Sequence, residues 1–317
     1  MTSALQAASV KRVLVTGASG FVGRRLMPRL IDAGHETVGL TGPEAEPGPL
    51  RVDLTDPDAT RAAFGEQRPD IVVHLAAMSS VGVGGSRPDE VWRANFDGAR
   101  SVALACRALE RDVRLVFASS GEVYGRRFNE GSCDETAPIA PMSAYARSKA
   151  ASEFELEDIA RDGLTVTVLR LFNHTGPGQD QRFVAPSFAA QIAAAAKAGG
   201  GQIKVGNLDA MRDFSDVDDV IGAYLAVVGD TAEPVAPFEI FNVGSGRARA
   251  VRELLDLLIA VSGAGVEVVT DPARMRPSDI ARAEGRFDKI ADRFGWRTTT
   301  PLQTTLAELY TWWRDRV

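Results

Sequence analysis

At 317 residues, 45% of them hydrophobic, the chain is long enough to bury a large core, either as one α/β unit or as a nucleotide-binding domain with a smaller partner. Its formal charge of -6, from 36 Lys and Arg against 42 Asp and Glu, excludes a general affinity for nucleic acid or anionic membrane, so any phosphate must be gripped locally. Cys106 and Cys133 make neither a disulfide framework nor a zinc spacing, no run approaches the ~18 apolar residues of a membrane helix, and residues 1–10 lack the apolar core of a signal peptide. The expectation is a cytoplasmic protein that binds no metal.

The first half alternates short β-rich apolar runs with amphipathic stretches, which predicts βαβ units and a parallel sheet. A first strand over residues 12–16 leads directly into Thr16-Gly17-Ala18-Ser19-Gly20-Phe21-Val22-Gly23 and a helix over 21–33. Glycines so spaced permit a tight turn, close approach of backbone to a pyrophosphate and close packing of helix on strand, while the helix N-terminus supplies N–H donors. Gly17, Gly20, Phe21, Val22 and Gly23 are therefore candidate contacts for a dinucleotide, NADP(H) or NAD(H). A second strand over 36–40 ends in Leu40-Thr41-Gly42, with no carboxylate for a ribose 2'-hydroxyl and no arginine in the following loop for a 2'-phosphate. That leans toward NADP without deciding it. After a third strand over 50–53, Asp53 either bonds the adenine amine or caps the turn before Thr55 and Pro57.

A fourth strand over 71–75 and a fifth over 114–119 are nearly continuous apolar runs, as expected of central strands covered on both faces, with a helix over 88–110 between them. The fifth runs into Phe117-Ala-Ser-Ser120-Gly-Glu122-Val-Tyr124-Gly125, so Ser119 and Ser120 emerge at the carboxyl end of the sheet, where ligands bind in open α/β folds. Next comes a helix over 143–162 that opens with Tyr145-Ala-Arg-Ser-Lys149, a spacing of four that places both side chains on one face. A nearby ammonium favours the phenolate, so Lys149 is expected to draw Tyr145 below its usual ~10 and make it a proton donor or acceptor, with Ser120 holding a carbonyl oxygen. A sixth strand covers 164–171; beyond Asn173 strands look sparse between turn-rich segments at 175–179, 199–201 and 244–246, and the alanine-rich 189–198 reads as helix. The predicted fold is a doubly wound parallel (Rossmann) sheet over 1–173 and a smaller α/β substrate domain over 174–317, with some chain returning to the first.

Glycine loop, serine segment and Tyr145/Lys149 in this order resemble the extended short-chain dehydrogenases/reductases, which comprise nucleotide-sugar epimerases, dehydratases and reductases, over nearly the whole chain. His74-Leu75-Ala76-Ala77 is similar to that family's segment beside the cofactor, and Arg93-Ala-Asn95 to its buried active-site asparagine. Arg212-Asp-Phe-Ser-Asp-Val-Asp-Asp219, Phe241-Asn-Val-Gly-Ser-Gly246 and Arg276-Pro-Ser-Asp279 are similar to its substrate-side motifs. Within the family, Phe172-Asn-His-Thr-Gly-Pro-Gly-Gln179, Ser119-Ser-Gly-Glu-Val-Tyr-Gly125 and Asp271-Pro-Ala-Arg-Met-Arg276 look most like the GDP-4-keto-6-deoxy-D-mannose reductases.

The resemblance implies a catalytic group of Ser120, Tyr145, Lys149 and Glu122. It adds Thr41, Asp53, Leu54, Leu75, Ala76, Ala77, Asn95 and Phe172 to the cofactor contacts. Toward a nucleotide sugar it implies Ser80, Ser120, Glu122, Tyr145, Asn173, Gln179, Phe183, Val184, Arg212 and Arg276, and the two arginines suit a diphosphate because guanidinium offers a planar fork. The implied reaction is reduction of a C4 ketone by NAD(P)H. Glu122 keeps a GDP-mannose 4,6-dehydratase as the nearest alternative; a C4 epimerase normally has an acid at the tip of strand two, and a non-catalytic sensor would not need the Tyr/Lys pair. The resemblance also implies a homodimer through helices 88–110 and 143–162.

Overall fold

Val13 and Val15 point to one side of the first strand and Leu14 to the other, and all three are buried, because helices cover the sheet on both faces. The computed structural model describes residues 10–43, 50–79, 87–232, 234–275 and 280–317. Strands are numbered in chain order. The principal sheet holds β1 (Arg12–Thr16), β2 (Glu36–Thr41), β3 (Leu50–Arg51), β4 (Ile71–His74), β5 (Arg114–Ser120), β6 (Thr165–Leu171) and β10 (Phe238–Val243). They lie in the order β3-β2-β1-β4-β5-β6-β10, every neighbouring pair parallel. This is the doubly wound α/β sheet that the alternation of elements predicts.

On one face lie α2 (Pro57–Gln67), α3 (running Pro88–Trp92, Arg93–Asp97 and Gly98–Arg107, its middle piece a π-turn) and α4 (Ala144–Arg161). They pack Phe64, Val102, Cys106 and Leu156 against Leu14, Val72, Leu115 and Phe117. The other face carries α1 (Gly23–Asp32), α6 (Val217–Gly229) and α8 (Asp288–Phe294), which bury Leu26, Leu30, Val220, Tyr224 and Ile290 against Val15, Val73, Val116 and Phe241. Chain from both sides of residue 173 thus builds this one sheet. Smaller pairings follow: β9 (Met211–Asp216) is flanked by β7 (Asn173–Thr175), β11 (Ala248–Ala250) and β13 (Arg282–Ala283), and β8 (Gly201–Val205) pairs with β12 (Val266–Thr270). With α5 (Val184–Lys197), α7 (Val251–Ser262) and α9 (Leu302–Arg314) they enclose a separate core that includes Phe188, Ile192, Leu254 and Leu306. The sparse strands expected beyond Asn173 are in fact seven among the described residues. They are short and, as in Met-Arg-Asp-Phe-Ser-Asp of β9, rich in polar residues, so they carry little apolar periodicity.

Four elements and the loop after β5 meet under the carboxyl edge of the sheet through one buried ion pair. Arg170 of β6 donates to Glu153 of α4 through Nη2 at 2.6 Å and Nε at 3.1 Å, with both side chains no more than 5% exposed. The Ser119 hydroxyl of β5 also donates to Glu153, Arg170 Nη1 donates to the Tyr124 hydroxyl at 2.9 Å, and Tyr124 donates to Asn242 of β10 at 2.7 Å. Removing one partner of such a pair leaves the other charge buried and uncompensated. Glu153→Ala should therefore lower unfolding free energy by about 3–5 kcal/mol, read as a reduced urea midpoint.

Candidate active site

At the end of β1, Gly17 adopts φ +68°, and a Cβ there would stand 2.8 Å from the Ala76 nitrogen; one on Gly23 would stand 2.3 Å from the Gly17 carbonyl oxygen. Only glycine allows the loop to fold back on β4 and the first turn of α1 to sit so close. The N–H groups of Phe21 and Val22 donate to no acceptor among the described residues, and both residues line a cavity of about 580 Å³ at the carboxyl edge of the sheet. Free N–H donors at a helix start are what a pyrophosphate requires, so the loop fits the dinucleotide that its sequence suggests.

The same cavity is lined by Gly17, Gly20, Gly23, Leu75, Ala76, Ala77 and Phe172, by Ser120, Glu122, Tyr145 and Lys149, and by Asn173, Gln179, Phe183 and Val184. Helix α4 begins where the Ser143 hydroxyl accepts the Ala146 N–H at 3.1 Å, which sets Tyr145 in the first turn and Lys149 one turn on. Ser120 ends β5 and accepts the Glu122 N–H at 3.2 Å, and its hydroxyl favours the charged form of the Tyr145 phenol, opposing the rise that burial causes. Lys149 Nζ donates to the Ala118 carbonyl at 2.7 Å and lies 4.6 Å from the Phe117 ring centroid. Three side chains from two elements are thereby held around one space.

Burial governs their protonation. Tyr145 is pushed up to about 12 by loss of water and by the Glu122 carboxylate, against the Ser120 hydrogen bond. The expected lowering of the phenol by Lys149 is thus corrected: dehydration raises the phenol, and the Lys149 Nζ is held on the Ala118 carbonyl. Lys149 itself is pushed down to about 7 by burial, with Glu153 opposing the shift. His74, bonded to the Thr16 hydroxyl at 2.8 Å, is held neutral by burial, down to about 3. Glu122 is raised by burial and restrained by Arg212, whose own value burial lowers.

Several residues expected at the cofactor or substrate lie off the cavity wall. Asn95, in the π-turn of α3, is fully buried; its Oδ1 accepts the Met78 N–H at 2.8 Å and its Nδ2 donates to Ser148 at 3.1 Å, so it braces α4 against the chain after β4. Asp53 takes the turn-capping alternative: its Oδ1 accepts the Thr55 N–H at 2.9 Å and the Thr55 hydroxyl at 2.8 Å. Thr41 donates to the Leu50 carbonyl at 3.3 Å, and Leu54 packs on the core beneath α3. Arg212 donates to the Met211 and Ile280 carbonyls and faces Glu122 electrostatically without lining the cavity. Ser80 and Arg276 lie outside the described residues.

Sequence reasoning missed Tyr224, which lines the cavity from α6 with its hydroxyl buried and unpartnered among the described residues. It sits in the apolar run Val-Ile-Gly-Ala-Tyr-Leu-Ala-Val-Val, where nothing separates it from a core position. Arg182, also on the wall, carried no motif signal, and His174 lay within the Phe172–Gln179 motif without being singled out.

Residues 13–244 match the NAD dependent epimerase/dehydratase family. The chain belongs to that family. Among its relatives, GDP-6-deoxy-D-mannose reductase of Pseudomonas aeruginosa is 35% identical over 316 residues, 97% of this chain and 98% of that protein. The structure of RMD from Pseudomonas aeruginosa complexed with NADPH superposes with TM-score 0.84 at 32% identity, covering 97% of this chain and 100% of the other. UDP-glucose 4-epimerase of Thermus thermophilus, in complex with NAD, gives TM-score 0.83 at 31% identity, covering 96% and 100%. In this epimerase/dehydratase member one sheet carries the fold and its carboxyl edge carries the cavity.

The low value of Lys149 has a thermodynamic consequence. Its folded-state pKa of about 7 lies below the ordinary lysine value, so between the two the unfolded chain binds the extra proton and stability rises with pH. In the purified protein the urea midpoint should carry this rise between pH 7 and about 9.5, and Lys149→Met should flatten it relative to wild type. Parallel midpoint profiles for the two proteins would contradict the assignment.

Proposed function

We propose that this protein reduces the C4 ketone of GDP-4-keto-6-deoxy-D-mannose with NADPH or NADH, yielding GDP-D-rhamnose. The observation that carries the reading is the Ser120–Tyr145 hydroxyl pair beside a buried Lys149, in a cavity continuous with the glycine loop. The relative named GDP-6-deoxy-D-mannose reductase, alike over nearly its full length, supports the choice of substrate.

Gly17 to Gly23 would hold the dinucleotide, whose reduced nicotinamide would supply the hydride. Tyr145, kept protonated by its raised pKa, gives its proton to the C4 oxygen of the sugar as that oxygen gains charge. Ser120 donates a hydrogen bond to the same oxygen and steadies it. Lys149, poised near neutrality, returns a proton toward the phenol and is available to the ribose of the cofactor. Asn173 is turned toward the nucleotide, Gln179 lines the same cavity, and Arg212 offsets the Glu122 charge so that a diphosphate can approach. Glu122 also supports a second reading, as the base of a 4,6-dehydratase, because its carboxyl is desolvated beside Tyr145.

Mixing the protein with GDP-4-keto-6-deoxy-D-mannose and reduced cofactor should consume nicotinamide absorbance and yield a single 6-deoxyhexose. Loss of water from GDP-mannose without consumption of reduced cofactor would select the dehydratase instead. Tyr145→Phe should cut turnover by ~100-fold or more with cofactor affinity kept.

The homodimer belongs to the same proposal. Trp92 on α3 and Phe154 on α4 are 37% and 60% exposed, on two helices that pack side by side over one face of the sheet. A second copy laid on this face would bury them. Phe154→Glu should therefore shift the light-scattering mass toward the monomer, and an unchanged mass would remove this interface.

A further inference from the structure

Among the described residues, the cavity wall holds one buried side-chain polar atom that the protein leaves without a hydrogen-bond partner, the hydroxyl of Tyr224 on α6. The side chain is 0% exposed. It belongs to the core on the α1 face of the sheet, with Val15, Val116, Ala118 and Leu169, and Val22 of the glycine loop and Leu171 of β6 pack against the same core. Tyr145 and Lys149 reach the cavity from α4, on the other face. The two phenols are near enough that charge on Tyr145 raises Tyr224, whose phenol burial already holds far above its usual value. Tyr224 is thus kept neutral, with both a donor and an acceptor to offer.

A buried hydroxyl without a partner is unfavourable, and phenylalanine would fill the same place without that cost. Its surroundings explain the want of a partner: Val22, Ala118 and Leu171, which also line the cavity, are apolar, as are Val220, Ile221, Val227 and Val228 of its own helix. A ligand is the remaining source. The proposed reaction needs a nicotinamide beside Tyr145, and an apolar wall suits the faces of that ring. Its one polar substituent is a carboxamide, which both donates and accepts, whereas a pyrophosphate already has the free N–H groups of Phe21 and Val22. We propose that the Tyr224 hydroxyl pairs with the carboxamide of the bound nicotinamide and fixes which way the ring is turned toward Tyr145. The inference deepens the proposed function, since it rests on a nicotinamide entering this cavity, but it is independent of the sugar.

The test uses the intact protein with no sugar present. Tyr224→Phe keeps the aromatic ring and removes only the hydroxyl, so the urea midpoint without cofactor should stay the same or rise. Binding of the reduced cofactor that wild type takes more tightly, NADPH or NADH, followed by nicotinamide fluorescence, should weaken about tenfold, because the carboxamide loses its partner. ADP-ribose and its 2'-phosphate keep the pyrophosphate and lack the nicotinamide, so their affinities should agree within about twofold between the two proteins. A purely structural role would lower the midpoint and weaken all of these ligands together. Either of those results, or an unchanged affinity for reduced cofactor, would overturn the contact and leave the reductase reading standing. Failure of wild type to bind either reduced cofactor would overturn both.

Discussion

Lys149 carries its amino group into a region almost without water, where Nζ meets the Ala118 carbonyl at 2.7 Å and the face of Phe117. Taking a cation out of solvent costs several kcal/mol unless an opposite charge and hydrogen bonds compensate it. Glu153, one helical turn further along α4, supplies that charge, and it is itself fixed by Arg170 of β6 and Ser119 of β5. The placement of α4 over the carboxyl ends of two strands is therefore set by an ionic network beneath the cavity. Tyr145 follows, because it is one turn back on the same helix.

Opposed shifts characterise the residues around this space. The phenol and the Glu122 carboxyl are raised toward their neutral forms, while Lys149 and Arg212 are lowered toward theirs, and in each case loss of water is the largest cause. Desolvation disfavours the charged form of each. Short-range partners limit it: Ser120 for Tyr145, Glu153 for Lys149, and Glu122 and Arg212 for each other. A phenol that stays protonated and an amine that titrates near neutrality form a relay suited to giving a proton to a substrate oxygen and recovering it.

Much of the site was legible from local patterns. The turn at Gly17 to Gly23 depends on backbone conformation within a few residues, so its glycines declare it. A four-residue helical spacing brings Tyr145 and Lys149 together whatever surrounds them. Apolar runs at β4 and β5 announce strands buried on both faces, and the end of β5 delivers Ser120 to the cavity. Even Asp53 carried its actual role, a turn cap, as one of two local readings.

What sequence could not supply is pairing between distant segments. Nothing local in the sequence links Glu153 to Arg170, and only the docking of α4 on β6 joins them. Asn95 looked like a cavity residue, but the π-turn of α3 aims it at Met78 and Ser148. The lowering expected of Tyr145 rested on proximity to a cation, whereas the depth of burial, a property of the whole fold, reversed its sign. Sequence by itself determined the parallel sheet, the phosphate loop and the helical Tyr/Lys pair, because each follows from periodicity or backbone freedom over a few residues. Tertiary structure alone decided which charges are buried and which polar side chains face the cavity, because these depend on strand register and helix docking between residues far apart in the chain.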